Sequence, residues 1–194
     1  MIPPLALSGL LPPFIGESPT LPAGRAPYRT SMAQVVTQFG TTPHRRSLLQ
    51  GLLNYRQALR SLAITQGSQW IGGSFLEDCE HQRGRPPQDI DVLTLIEPPS
   101  AFLTPDAWAA HIASNAPAFQ ALTTPASKAT YGCDAYFMEL YAPPMMVVAS
   151  THYWFGLFSH SRKMEWKGLV EVPLGASNAD DDAALAELAR MNGS

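Results

Sequence analysis

Trp70–Glu97 reads WIGGSFLEDCEHQRGRPPQDIDVLTLIE, and the fold expected for the chain follows from this stretch. A short strand ends in Gly72-Gly73-Ser74, a polar loop follows, and a second strand opens with Asp89-Ile90-Asp91. Successive side chains on a strand point to opposite faces, so Asp89 and Asp91 project the same way, roughly 6 to 7 Å apart. Two carboxylates at that spacing repel each other. A hard cation such as Mg2+ removes the repulsion and keeps coordination positions for water and phosphate oxygens. Asp89 and Asp91 are therefore candidate metal ligands. In the turn, two residues without Cβ let the backbone approach a ligand closely and aim N–H groups at phosphate oxygens, with the Ser74 hydroxyl as a further donor. Phosphate on one side and metal on the other describe a nucleoside triphosphate site.

Upstream, Met32, Val35, Val36 and Phe39 recur at helical spacing and Gly40 closes the segment. A longer helix is expected from about Pro43 to Gln66, with an apolar stripe of Leu48, Leu49, Leu52, Leu53, Leu59, Leu62 and Ala63, packed on the sheet behind the site. Arg45, Arg46, Arg56 and Arg60 fall away from that stripe or at its edge. Between the two strands, Gly84 and Pro86-Pro87 argue for an irregular loop over Glu77–Gln88, from which His81, Arg83 and Arg85 can reach a triphosphate or an acceptor. The strand Asp89–Ile96 is apolar on both faces beyond its aspartates, which places it in the interior of a sheet.

Downstream, Thr104-Pro105-Asp106 starts a helix running to about Asn115, with Trp108 and Ile112 on its buried face. Pro117 begins an irregular or helical turn to about Thr123. Tyr131–Tyr141, YGCDAYFMELY, reads as a strand with Asp134, Tyr136 and Met138 on one face. An acid among apolar residues on a core strand is costly unless it is used or paired, so Asp134 is a candidate third carboxylate, with Glu139 the second choice. Met145–His160 is apolar and aromatic and reads as a buried helix. Arg162, Lys163 and Lys167 follow in a turn leading to a last strand.

Residues 1–30 hold many of the 18 prolines and show no helical or strand period, so they read as an arm, extended over the surface or mobile. Leu10, Leu11, Phe14 and Ile15 can anchor it to the body or to another subunit. Residues 31–174 form the expected domain, and 175–194 a linker with a short acidic helix, Asp181–Met191. A net charge of −3 argues against a broad footprint for duplex nucleic acid. Cys79 and Cys133 are too few for a disulfide framework and lack zinc-ligand spacing. No run approaches the roughly 18 apolar residues that span a bilayer. The N-terminus lacks a basic region before its apolar residues, so a soluble, cytoplasmic protein is expected.

The Gly-Gly-Ser turn, fourteen residues, then Asp-Ile-Asp before an apolar run resembles the motif of the DNA polymerase β-like nucleotidyltransferase superfamily in its minimal prokaryotic form. The aromatic segment followed by LFSHSR and KGLV resembles the C-terminal part of the same small proteins. The resemblance spans about residues 40–172 and implies an α/β (α+β) fold, a small mixed sheet flanked by helices. It implies Asp89 and Asp91 bridging Mg2+ or Mn2+, Asp134 completing the metal set and helping to deprotonate an attacking hydroxyl, and Gly72, Gly73 and Ser74 holding the triphosphate. Arg162 and Lys167 become candidate triphosphate contacts. The implied reaction moves a nucleotidyl group from a nucleoside triphosphate to a hydroxyl of a protein, an RNA or a nucleotide, in a toxin–antitoxin or phage-defence setting. The rival expectation is a non-catalytic nucleotide-sensing or partner-binding module of the same fold, assembling with a protein partner or a second copy through the N-terminal arm. The gap between Ser74 and Asp89 is longer than in compact members of that superfamily.

Overall fold

A computed structural model describes residues 1–99, 101–102 and 104–193. Five strands form one mixed sheet: β1 (Tyr28–Arg29), β2 (Gly67–Gly72), β3 (Ile90–Ile96), β4 (Cys133–Glu139) and β5 (Val170–Pro173), in the order β1-β5-β2-β3-β4. β2 is antiparallel to both β3 and β5, while β4 is parallel to β3 and β1 is parallel to β5. A parallel pair needs a crossover, and α4 (Pro105–Ser114), α5 (Ala116–Ala121) and α6 (Ala126–Tyr131) supply it between β3 and β4. Ile90, Val92, Leu93, Leu95 and Ile96 are all buried, as expected of an interior strand with both faces covered.

Strand register sorts the side chains. Trp70 pairs with Leu93, Gly72 with Asp91, Asp91 with Asp134 and Leu93 with Tyr136, so these residues share one face. Helix α7 (Pro144–Phe158) lies on that face, with Phe155 against Trp70 and Trp154 against Tyr136. On the opposite face Gln69 meets Arg56 of α2 (Pro43–Ser61), whose Leu48, Leu49, Leu52, Leu53 and Leu59 are buried. Side-chain caps start the helices where the sequence predicts: Ser31 for α1 (Met32–Phe39), Thr42 for α2 and Thr104 for α4 each accept from the N–H three residues on.

Four differences from the sequence reading have physical causes. Arg45 and Arg56, expected away from the apolar stripe or at its edge, are buried because each guanidinium nitrogen finds an acceptor. Arg45 reaches Glu80 and the carbonyls of Phe75 and Glu77, and Arg56 reaches Asp181, Gln69 and the carbonyl of Pro173. The loop expected to be irregular contains α3 (Cys79–Arg83), started by the Asp78 side chain and ended by Gly84 at φ 62°, so Gly84 acts as a cap. The acidic helix is longer than expected, α8 (Ala179–Gly193), and docks on the body. Asp180 accepts from the N–H groups of Met32 and Ala33 at the start of α1, and Asp181 pairs with Arg56 at 2.9 Å and Arg60 at 2.6 Å.

The fourth concerns α7, expected to be buried. Only Phe158 of this helix is buried, and Met145 (75 % exposed), Met146, Val148, Tyr153 and Leu157 face outward. The helix is apolar all round, and one layer covers it. Within the N-terminal residues, Ile2, Leu10 and Leu11 are buried, Phe14 packs on Trp166, and β1 extends the sheet beside β5, whereas Ile15 is exposed. Among the described residues no helix is long and apolar enough to cross a membrane.

Candidate functional site

The register that pairs Gly72, Asp91 and Asp134 across three adjacent strands puts one end of the sheet at a pocket of about 520 Å³. Gly73, Ser74, Asp89, Asp91, Asp134, Arg162 and Lys167 all line it. Gly72 does not: it lies beneath α7, where an added Cβ would come within 2.6 Å of the Phe158 ring. Gly73 is glycine for two reasons. Its φ is 63°, and an added Cβ would stand 1.6 Å from Asp91 Oδ2. Of the loop cations, Arg83 and Arg85 line the pocket, whereas His81 is exposed and bonded to Asp78. Glu139, at the far end of β4, accepts from Trp108 Nε1 and takes no part in the site.

Three carboxylates in one pocket raise an electrostatic problem. Burial, and then the charges of Asp89 and Asp134, push the Asp91 carboxyl up to about 6. Asp134 Oδ1 is buried and accepts no hydrogen bond of good geometry, although Tyr136 on the same face is near enough that burial, and then Asp134, push its hydroxyl up to about 12. Lys128 relieves part of the repulsion, its Nζ standing 2.5 Å from Asp89 Oδ2 and 3.8 Å from Asp134 Oδ2, and the bond to Asp89 raises its own pKa. Among the described residues, no three acidic, His or Cys side chains already stand in a metal-holding arrangement, and the Lys128 ammonium lies between two of the carboxylates. The donor chemistry nonetheless fits a hard divalent cation. It offers carboxylate oxygen only, carries excess negative charge, and leaves one buried oxygen without a hydrogen bond of good geometry.

The turn facing these acids is held from behind. Lys167, expected at a triphosphate, is 1 % exposed in its side chain, donates to the carbonyl of Gly73 and pairs at 2.7 Å with Glu77, itself 2 % exposed. Arg83 takes the second oxygen of Glu77, while Arg45 donates to the carbonyls of Phe75 and Glu77. Three cations thus fix the segment Gly73–Glu77, with Lys167 anchoring Gly73 itself. Removing one partner of a buried pair typically costs about 3–5 kcal/mol. Lys167→Met is therefore expected to lower the free energy of unfolding by about 3 kcal/mol, since Arg83 still holds Glu77. Adding Glu77→Gln to that variant should restore part of the loss, and strictly additive losses in urea titrations would argue against the coupling.

The chain matches the Family of unknown function (DUF6932) over residues 3–173. It belongs to that family. The DUF6932 match runs from the N-terminal arm through β5 and includes every residue of the pocket, while α8 lies beyond it. The family description carries no activity. No curated protein and no solved structure matches the chain.

Sequence reasoning missed two of the pocket's charged residues. Glu77 reads as an ordinary loop charge, and its burial depends on Lys167, ninety residues away in sequence. Lys128 sits in SKATYG, a short stretch without period. The one available signal was its place one helical turn before Gly132, whose φ of 65° ends α6 and leads straight into the strand that bears Asp134.

Proposed function

We propose that the pocket is the active site of a metal-dependent nucleotidyltransferase that moves a nucleoside monophosphate from a nucleoside triphosphate to a hydroxyl. The observation that carries this reading is the convergence of Asp89, Asp91 and Asp134 on one pocket opposite the Gly73-Ser74 turn, with Asp134 Oδ1 buried and without a hydrogen bond of good geometry. Asp89, Asp91 and Asp134 would hold Mg2+ or Mn2+, which when bound supplies charge neutralisation and polarisation of phosphoryl oxygens. The backbone of Gly73 and the hydroxyl of Ser74 receive the outer phosphates. The acceptor oxygen bonds to the α-phosphorus as the bond to the β-phosphate oxygen breaks, and pyrophosphate leaves. Asp134 takes the acceptor's proton. Arg85 and Arg162 on the pocket wall offset the charge of the departing pyrophosphate.

The wall beside the pocket favours one acceptor class. Leu157 both lines the pocket and belongs to the exposed side of α7, which contains no charged residue. A nucleic-acid track depends on Lys and Arg against phosphates. An apolar, uncharged wall favours a protein hydroxyl as acceptor. The same exposed face is what favours the second reading, a nucleotide-binding module that works by docking a partner.

The two readings separate on pyrophosphate release. Purified protein with Mg2+, a nucleoside triphosphate and cell lysate as a source of acceptor should release pyrophosphate, and Asp89→Ala should abolish the release. Metal-dependent nucleotide binding without release would favour the docking module instead.

A further inference from the structure

We infer that the wall formed by Gly156, near the end of α7, and Met164, in the turn that follows, is the subsite for the base of the nucleoside triphosphate. The inference rests on the proposed reading of the site and assigns the part of that substrate which carries no charge.

The apolar lining of the pocket comes from one segment. Among the described residues, Leu157, Phe158 and Met164 are its apolar side chains, whereas every lining side chain that precedes α7 in the chain is polar or charged. A nucleoside triphosphate divides in the same way. Its phosphates need the polar wall, and its base offers a flat face that is held by apolar contact. Arg162, in the same turn as Met164, brings a phosphate-binding charge to the edge of the apolar wall, so the two parts of one ligand can meet adjacent groups.

Gly156 and Met164 are both residues that packing within the chain does not explain. Glycine is unfavourable inside a helix, yet a Cβ added at Gly156 would meet no atom within 4 Å. The space over it is kept open on the pocket wall. Met164 has a φ of 62° and is 79 % exposed. The Ser161 N–H donates to the carbonyl of Glu165 at 2.9 Å, and Ser161 Oγ accepts from the N–H groups of Lys163 and Glu165. This closes a tight turn whose left-handed position ordinarily takes Gly or Asn. Ala63, the other non-glycine residue with positive φ among the described residues, ends α2, where the Ile64 N–H bonds to the carbonyl of Leu59. Met164 ends no helix, and its strained backbone holds a long apolar side chain at the pocket. His160 Nδ1 donates to the carbonyl of Gly156 at 2.9 Å, so the turn is tied to the bare helix surface and the two form one wall.

The test is calorimetric titration of the full chain, with Mg2+ and no acceptor, by each of the four nucleoside triphosphates and by inorganic triphosphate, for wild type, Gly156→Leu and Met164→Gly. Leu is a better helix former than Gly, and Gly relieves the left-handed position, so both variants are expected to melt no lower than wild type. Each should bind the nucleoside triphosphates about tenfold more weakly, because one substitution fills the space for the base and the other removes its apolar contact. Inorganic triphosphate, which has no base, should bind both variants as it binds wild type. Equal weakening for both kinds of ligand, no weakening for either, or a lower melting temperature for Gly156→Leu would overturn the inference and leave the nucleotidyltransferase reading standing. A wild-type chain that binds no nucleoside triphosphate would overturn that reading itself, and the inference with it.

Discussion

Asp91→Asn is expected to abolish the proposed nucleotidyl transfer, a fall on the order of 10³-fold, while making the metal-free protein more stable at pH 8. The two effects have opposite signs because they come from the same charge. Asp91 is buried beside Asp89 and Asp134, and its carboxyl is pushed up from 3.8 to about 6. A carboxyl whose folded pKa exceeds its unfolded value stabilises the fold while protonated. That contribution is complete below about pH 4 and is lost as the pH rises through about 6. Above that range the ionised group costs roughly 3 kcal/mol relative to a neutral side chain of the same shape, since each tenfold change in proton affinity is worth about 1.36 kcal/mol. Asn removes the cost. In EDTA at pH 8 the variant should melt several degrees above wild type, by roughly 2–4 °C per kcal/mol, and the advantage should disappear near pH 4. Equal loss of stability and activity would make Asp91 a structural residue and remove it from the proposed chemistry.

Asp181→Ala is expected to be the most destabilising single change, by about 3–5 kcal/mol in urea unfolding, with transfer by the folded variant unchanged. Asp181 is nearly fully buried and takes both Arg56 and Arg60. Its loss leaves Arg56, which is equally buried, with only Gln69 and the carbonyl of Pro173 as acceptors. Burial already pulls the Arg56 pKa down, with Asp181 opposing that pull, so the carboxylate is what makes a buried guanidinium tolerable here. These residues lie on the α2 face of the sheet, away from the pocket, which is why stability and turnover should separate. A loss below about 1 kcal/mol would mean that α8 contributes as a surface element, with ion pairs worth no more than exposed ones.

What was legible in the sequence depended on local rules. Gly73 and the Asp89–Asp91 pair could be read because paired residues without Cβ and a two-residue spacing are local properties, and Asp134 because an acid among alternating apolar residues stands out on a strand. The mixed sheet was what the resemblance of the motif implied. Long-range pairing was not legible. Arg45 and Arg56 carry helical spacing that puts them at the edge of a stripe, and their burial is decided by Glu80 and Asp181, 35 and 125 residues away in sequence. The exposure of α7 escaped for another reason. A uniformly apolar segment has no period to show which side lacks a neighbour, and composition alone favoured burial.

The decisive measurement is the fate of the α-phosphate. Purified protein is incubated with Mg2+ or Mn2+ and each of the four α-labelled nucleoside triphosphates, alone and with cell lysate, beside an Asp89→Ala/Asp91→Ala double variant. The proposed function predicts label on an acceptor, a protein by the argument from α7, from the wild-type protein and not from the double variant. Label that appears equally with both, or no labelled product from a wild-type protein that binds nucleotide and metal, would contradict it.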